Sequence, residues 1–455
     1  MLSKEYFKEV KTSLNLAFPI VIAQLGVVLM SVSDNIMIGR FIGKEALAAA
    51  GLSNSLCFLI ASIAVGGFPI VSPLISKHFA AKNANKMLET FTASIAIAII
   101  YSVALTAISL VLLLNFDLLG QTQNINTLSK PFFLIITLSN IPLFLFLALK
   151  QTFDGLSLPK VSMLITFLGL ALNVVINYSL INGIGFIPKM GLNGAAYSTL
   201  IVRIIMFFAL LIALLYISEV NHIIPPKLKL LQSKEQTIRL LRLSIPSGLQ
   251  FLFEIGAFSV ALIMMGWISE DALAAHQIAI NIAATAYMTA TGIAYSGAIR
   301  VGNAVGLGSM PKLRLASNVS YTLVTILMAL TMLIILVFNE GLIGIYIDDQ
   351  DIIQLAKPLL VIAAVFQLSD GIQAVALGNL RGISDVKIPA YITFVAYWVI
   401  SLPLGYFFAF HFHMGASGIW YALLIGLSFA AIFLSLRFFR ALKNEKLIFQ
   451  DIKTI

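Results

Sequence analysis

The sequence predicts an all-α, polytopic membrane protein of about twelve transmembrane helices arranged as two six-helix bundles. Three observations carry that prediction. Of the 455 residues, 60% are hydrophobic and only 11% are charged, against about 25% charged in an ordinary soluble domain. Apolar runs long enough to cross ~30 Å of hydrocarbon recur along the whole chain. The second half also repeats motifs of the first in the same order. This composition excludes a water-soluble enzyme and an intrinsically disordered chain. The runs are continuously apolar rather than alternating, which excludes a transmembrane β-barrel.

Taken in order, residues Met1 to Lys11 are polar and carry Lys4, Lys8 and Lys11. No short apolar stretch with a small-residue cleavage site precedes the first run, so that run reads as a retained span. The spans are expected near 14–37, 45–70, 91–114, 130–150, 160–181 and 192–217, then 239–265, 272–297, 316–338, 353–378, 387–410 and 415–437. Polar or Gly/Pro-bearing breaks separate them. The chain therefore divides into an N-terminal lobe (1–217), a linker (218–238) with Pro225-Pro226, and a C-terminal lobe (239–455).

The net charge of +9 follows the loops. With the N-terminus inside, the inside loops hold Lys77, Lys82, Lys86, Lys150, Lys160, Arg300, Lys312, Arg314, Arg381 and Lys387. The linker side adds Lys227, Lys229, Lys234, Arg239 and Arg242, and the tail adds Arg437, Arg440, Lys443, Lys446 and Lys453. Only Arg40, Lys44, Lys130, Lys189 and Lys357 fall outside. This is the positive-inside pattern of an inner (plasma) membrane protein with both termini cytoplasmic. It accounts for the basic charge without a nucleic-acid partner.

The repeat pairs Pro19 with Pro246, Ala46-Leu47-Ala48-Ala49 with Ala272-Leu273-Ala274-Ala275, and Gly155 with Gly382. It also pairs Ile165-Thr166-Phe167 with Ile392-Thr393-Phe394, and Met190-Gly191 and Gly194 with Met414-Gly415 and Gly418. Six spans per half make both halves enter the membrane in the same direction. Such parallel repeats are typical of carriers that rock two bundles about a central cavity.

Three acids fall inside expected spans: Asp34 in the first, Glu254 in the seventh and Asp370 in the tenth. A charge at the bilayer centre costs roughly 3 kcal/mol on insertion scales. Such an acid faces a cavity and holds a cation or a proton, or it is paired structurally. Phe258 stands one helical turn after Glu254 on the same face, where its ring can support a cation or simply pack. Asn173 and Asn177 share a face of the fifth span and offer neutral oxygens near Asp34, or interhelical hydrogen bonds. Arg203 in the sixth span reads as structural. Asp348, Asp349 and Asp351 form an outer acidic cluster before the tenth span.

Soluble-type catalytic motifs are absent: no H-E-x-x-H, no G-x-S-x-G and no G-x-x-x-x-G-K-[ST]. His78, His222, His276, His411 and His413 are dispersed, and Cys57 is the only cysteine, so neither a Cys-based metal site nor an internal disulfide is expected. The chain reads as a non-enzyme with no cofactor, driven by an ion gradient or a partner.

Asp34-Asn35-Ile36-Met37, Ala274-Ala275-His276-Gln277, Leu380-Arg381-Gly382, and Leu172-Asn173 through Asn177-Tyr178 together resemble the multidrug and toxic compound extrusion (MATE) family, in its NorM-like bacterial branch. The likeness runs over essentially all twelve spans. It implies two six-helix lobes around a central cavity and export of cationic, amphipathic compounds in exchange for Na⁺ or H⁺. It implies that Asp34 is functionally important and that Glu254 and Asp370 form the cation site, which would bind Na⁺ if the coupling ion is sodium. It links Asn173 and Asn177 with a site in the first lobe, and it matches Gln277 and Asp349 to positions that touch substrate. Phe366 departs from the pattern, because some relatives carry a tyrosine there, one turn before the aspartate. The expected partners are cationic small molecules and the lipid bilayer, with the chain a monomer. A lipid-linked oligosaccharide flippase and a major-facilitator-type carrier stand as alternatives. The flippase would want a basic cavity, and the segment Ser76 to Met87 lacks the G-x-x-x-D-[RK] motif usual in the other.

Overall fold

The computed structural model describes residues 2–185, 188–216 and 234–449, and these are almost entirely helical. Among the described residues twelve helices are long and apolar enough to cross a membrane, so this is a multi-pass membrane protein. They are α1 (Lys4–Phe41), α2 (Lys44–Ala80), α3 (Ala84–Leu114), α4 (Gln123–Gly155), α5 (Pro159–Asn182) and α6 (Gly191–Tyr216), then α7 (Lys234–Ile268), α8 (Glu270–Gly306), α9 (Met310–Val337), α10 (Gln350–Gly382), α11 (Lys387–His411) and α12 (Gly415–Ala441). Most of the expected linker, with Glu219, His222, Pro225, Pro226, Lys227 and Lys229, lies outside the described residues, as does Lys453.

Each helix outruns its apolar core because capping and turn residues, not hydropathy, decide where a helix ends. α8 opens at Ser269, whose Oγ accepts the Ala272 N–H at 3.0 Å. At 37 residues it rises ~55 Å. α10 opens at Asp349, whose Oδ1 accepts the Asp351 and Ile352 N–H groups at 2.9 and 3.3 Å. α3 opens at Asn83, which accepts from Lys86 N at 2.9 Å. Arg300 and Arg381, read as loop residues from the sequence, consequently stand inside α8 and on the last turn of α10. α2 continues past its expected end at 70. Pro69 is absorbed in a tight 3₁₀ turn (Phe68–Ile70), where its missing N–H leaves little unsatisfied, and residues 66–78 are all buried.

By their contacts the helices form two units, Ile22–Gly248 and Met1–Val21 with Leu249–Ile455. The division falls inside α1 and α7, whereas the sequence-based division at 217 and 239 follows the linker. Specific side chains explain it. In the second unit, Arg300 donates from Nε and Nη2 to the two carboxylate oxygens of Glu9, each at 2.6 Å. Ser296 Oγ donates to the Ser13 carbonyl at 2.8 Å. In the first unit, Ser247 Oγ donates to the Gly66 carbonyl at 2.7 Å, and the Tyr101 and Ser244 hydroxyls meet at 2.9 Å. Glu9→Gln breaks the bidentate ion pair. It is expected to lower the thermal unfolding midpoint in detergent by about 2–4 °C, the loss of one good charged hydrogen bond in a chain of this size.

The first unit packs α4 against α2, α3 and α6, and α5 against α6, around Ile38, Ala49, Phe116, Phe132, Phe133 and Ile136. The second packs α10 against α8, α9 and α12, around Ala279, Ala363, Leu377, Tyr397, Trp420 and Leu427. The internal repeat is visible in their contacts. A Cβ on Gly155 would lie 2.5 Å from the Ser72 carbonyl oxygen and 2.8 Å from Ile75 Cβ. On its counterpart Gly382 it would lie 3.0 Å from the Ala298 carbonyl oxygen and 2.6 Å from Val301 Cγ1. Likewise Met190 N donates to the Leu180 carbonyl at 2.9 Å, and Met414 N to the Phe408 carbonyl at 3.0 Å. The same small residues therefore permit the same close helix approaches twice.

Candidate functional site

The first unit holds one polar cluster and the second another. In the first, Asp34 sits near the end of α1, half-buried, and α5 and α6 bring groups to it. Asn177 donates from Nδ2 to Asp34 Oδ1 at 2.6 Å, and Thr199 donates from Oγ1 to Oδ2 at 3.2 Å. Asn173, one turn before Asn177, neighbours the same carboxylate and is 1% exposed. Both atoms of its amide, and Oδ1 of Asn177, are buried without a hydrogen-bond partner. A buried amide without partners is costly. Such unpaired amide oxygens are the kind of neutral group that ligates a cation. The i, i+4 spacing on α5 thus brings together the three residues expected from the sequence.

Arg203 on α6 supplies a positive charge near Asp34. Its Nη1 donates to Ser139 Oγ at 2.6 Å and to Asn140 Oδ1 at 3.0 Å on α4. Its bonds thus go to neutral oxygens, and among the described residues Asp34 forms no ion pair.

In the second unit, Glu254 of α7 and Asp370 of α10 are buried, 7% and 5% exposed, and lie close enough to act on one another electrostatically. Two like charges in a low-dielectric setting call for a positive charge between them, supplied by a proton or a metal ion. Tyr287 of α8 and Tyr397 of α11 lie close enough to both carboxylates to interact with them electrostatically. Tyr397 exchanges hydrogen bonds with Gln373, three residues beyond Asp370 (2.9 and 3.1 Å). Arg381 lends charge to Glu254, yet its Nη2 donates to Gln250 Oε1 at 3.4 Å, and its Nε is buried without a partner. Phe258 packs its ring 6.2 Å from Tyr397. Phe366 is fully buried against Trp420, ring centroids 5.5 Å apart.

Among the described residues no group of three or more His, Cys, Asp and Glu could hold a metal ion. A sodium ion at Glu254 and Asp370 would therefore complete its shell with neutral oxygens. Phe366 offers no hydroxyl there, and the Tyr397 hydroxyl is already bonded to Gln373. Gln277 is exposed and donates from Nε2 to Asn281 Oδ1 at 3.1 Å. Asp349 is the cap of α10. Among the described residues neither makes a hydrogen bond to Glu254 or Asp370.

Sequence reasoning did not find Thr199, Tyr287, Tyr397 or Gln373. Each lies singly within an apolar run, where a hydroxyl or amide carries little signal. Arg381 was visible only as a basic residue at the end of a span.

A family model described as MatE matches the chain twice, over residues 19–179 and 246–407, one match in each repeat. The "Probable multidrug resistance protein NorM" of Pseudomonas putida is 33% identical over 441 residues, covering 94% of this chain and 94% of that protein. The protein of the same name from Brucella suis biovar 1 is 31% identical and covers 96% of this chain and 94% of its own. In fold, the crystal structure of the eukaryotic MATE transporter AtDTX14 matches with a TM-score of 0.88 at 18% identity, covering 98% of this chain and 99% of that one.

Proposed function

The chain belongs to the MatE family of multidrug and toxic compound extrusion proteins, and from that premise we propose that it is a cation-coupled antiporter. It exports cationic, amphipathic compounds in exchange for Na⁺ or H⁺ by alternating access. The bacterial relatives are named as multidrug resistance proteins and the matching structures as transporters, which supports a transport rather than a catalytic role.

The observation that carries the reading is the pair Glu254 and Asp370. Two acids within membrane-spanning helices are buried and act on one another electrostatically, and Tyr287 and Tyr397 lie near enough to interact with both. Neither forms an ion pair among the described residues. Asp34, with Asn173 and Asn177, supports a second cation-attracting site. A lipophilic cation and the coupling ion compete for, or couple through, these carboxylates, and each weakens the other reciprocally. An inside-negative potential adds about 2.3 kcal/mol per charge per 100 mV to ion entry. Asp34, Gln277, Asp349 and Phe258 are proposed to contact substrate during the cycle. The basic loops support an inner-membrane orientation with both termini cytoplasmic, and the chain is proposed to act as a monomer. An anionic lipid-linked sugar is disfavoured, because the intramembrane acids would repel its phosphate.

The test is efflux of a cationic dye such as ethidium from proteoliposomes under an imposed Na⁺ gradient and, separately, an imposed pH gradient. Dye movement driven by one of the two is the expected result. Purified protein that moves no dye under either gradient would overturn the antiport reading.

A further inference from the structure

We propose that Trp398 is a positioning residue for the ion-coupled site, holding the segment of α7 that carries Glu254 while its neighbour Tyr397 holds α10 beside Asp370. This rests on the antiport reading above and adds to it the device that sets how the two carboxylates meet the ion.

The argument begins with the backbone of α11. Pro403 has no N–H, and its ring crowds the carbonyl four residues back, so a regular α-helix is disfavoured there. The helix widens instead. Val395–Ser401 and Phe407–His411 form π turns on either side of Leu402–Tyr406. The Leu402 N–H bonds to the Tyr397 carbonyl, five residues back. Wide turns of this kind gather at functional sites, and here the turn lets two consecutive residues reach two different helices.

Trp398 reaches α7. Its indole Nε1 donates to the Phe253 carbonyl at 3.0 Å, the residue just before Glu254. Its ring covers Gly256, two residues after Glu254, where a Cβ would stand 3.0 Å from Cζ2. The contact thus brackets Glu254 from both sides, and a Cβ at position 256 would press directly on the ring. Trp398 is 38% exposed, so burial of its ring is not the reason for its placement. Phe394, one turn earlier on α11, adds an edge-to-face contact with Phe253 at 5.1 Å. Tyr397 is fully buried, exchanges hydrogen bonds with Gln373 on α10, and packs on Phe258, one turn after Glu254. α11 thereby ties together the two helices that each contribute one carboxylate. An ion site misplaced by an ångström loses affinity before it loses its fold.

The experiment measures initial ethidium efflux from proteoliposomes against the concentration of whichever ion, Na⁺ or H⁺, drives the wild type. Trp398→Phe removes the N–H but keeps a ring, and Gly256→Ala pushes the ring away. Each is expected to raise the half-saturating ion concentration roughly fivefold, the scale of one lost hydrogen bond, with the maximal rate within about twofold of wild type. The double variant should show about the same shift as either single one, because both break one contact. Trp267→Phe, on α7 but packed against Phe410, should match the wild type. Unchanged half-saturation in Trp398→Phe and in Gly256→Ala, or a fall in maximal rate alone, overturns the inference. Glu254→Gln measured alongside separates the two readings. Its loss of efflux with unshifted Trp398→Phe sinks only the positioning role, whereas wild-type efflux in Glu254→Gln sinks the site itself.

Discussion

Glu254→Gln and Asp370→Asn are each expected to reduce gradient-driven efflux to below about one hundredth of the wild-type rate, with membrane-inserted protein within about twofold of normal. The amide keeps the volume of the acid and most of its hydrogen-bonding capacity. It removes the charge that a proton or sodium ion must neutralise. Stability should move the other way from activity. Each buried acid lies beside another, and a charge at membrane depth costs roughly 3 kcal/mol on insertion scales. Neutralising one of the pair is therefore expected to leave the unfolding midpoint unchanged or to raise it. A structural pair would behave oppositely, losing stability with activity. Flux measured with thermal unfolding in detergent separates the two cases, and wild-type efflux in both variants would remove these residues from the ion site.

Gly155→Leu and Gly382→Leu are expected to destabilise by more than about 3 kcal/mol each and to leave most of the protein aggregated on extraction. The reason is space between backbones. At Gly155 even a Cβ would lie 2.5 Å from the Ser72 carbonyl, and at Gly382 it would lie 2.6 Å from Val301. Neither neighbour is the far end of a flexible side chain. The helices must separate, and without water between them they regain nothing in lipid for doing so. Gly266→Leu is the matched comparison. It lies on α7 with nothing within 4 Å of its Cβ position, and it is expected to extract as the wild type does. Size-exclusion profiles of the three variants after detergent extraction would decide the point. A monodisperse, wild-type profile for Gly382→Leu would show that the α8–α10 approach is not tight.

A good part of this arrangement is legible in the amino-acid sequence. The twelve spans, the repeat and the acids Asp34, Glu254 and Asp370 can be read along the chain, and the i, i+4 spacing of Asn173 and Asn177 puts both on one face of α5, which the structure sets beside Asp34. The ends of helices are less legible. Arg300 and Arg381 read as loop residues because hydropathy fades before α8 and α10 end. Asp349 reads as part of an acidic cluster, yet its oxygen caps a helix.

The amino-acid sequence by itself determined that the chain crosses a membrane about twelve times, that its halves are repeats, and which acids lie at membrane depth. Each of these depends on the transfer of single segments into hydrocarbon, a cost set residue by residue. Only the tertiary structure decided that Thr199 joins Asp34, that Tyr287 and Tyr397 come near Glu254 and Asp370, and that Arg203 bonds to Ser139 and Asn140. Those relations arise between helices far apart in sequence, whose approach is set by small residues and by the widened turn of α11. No local property of the chain encodes them.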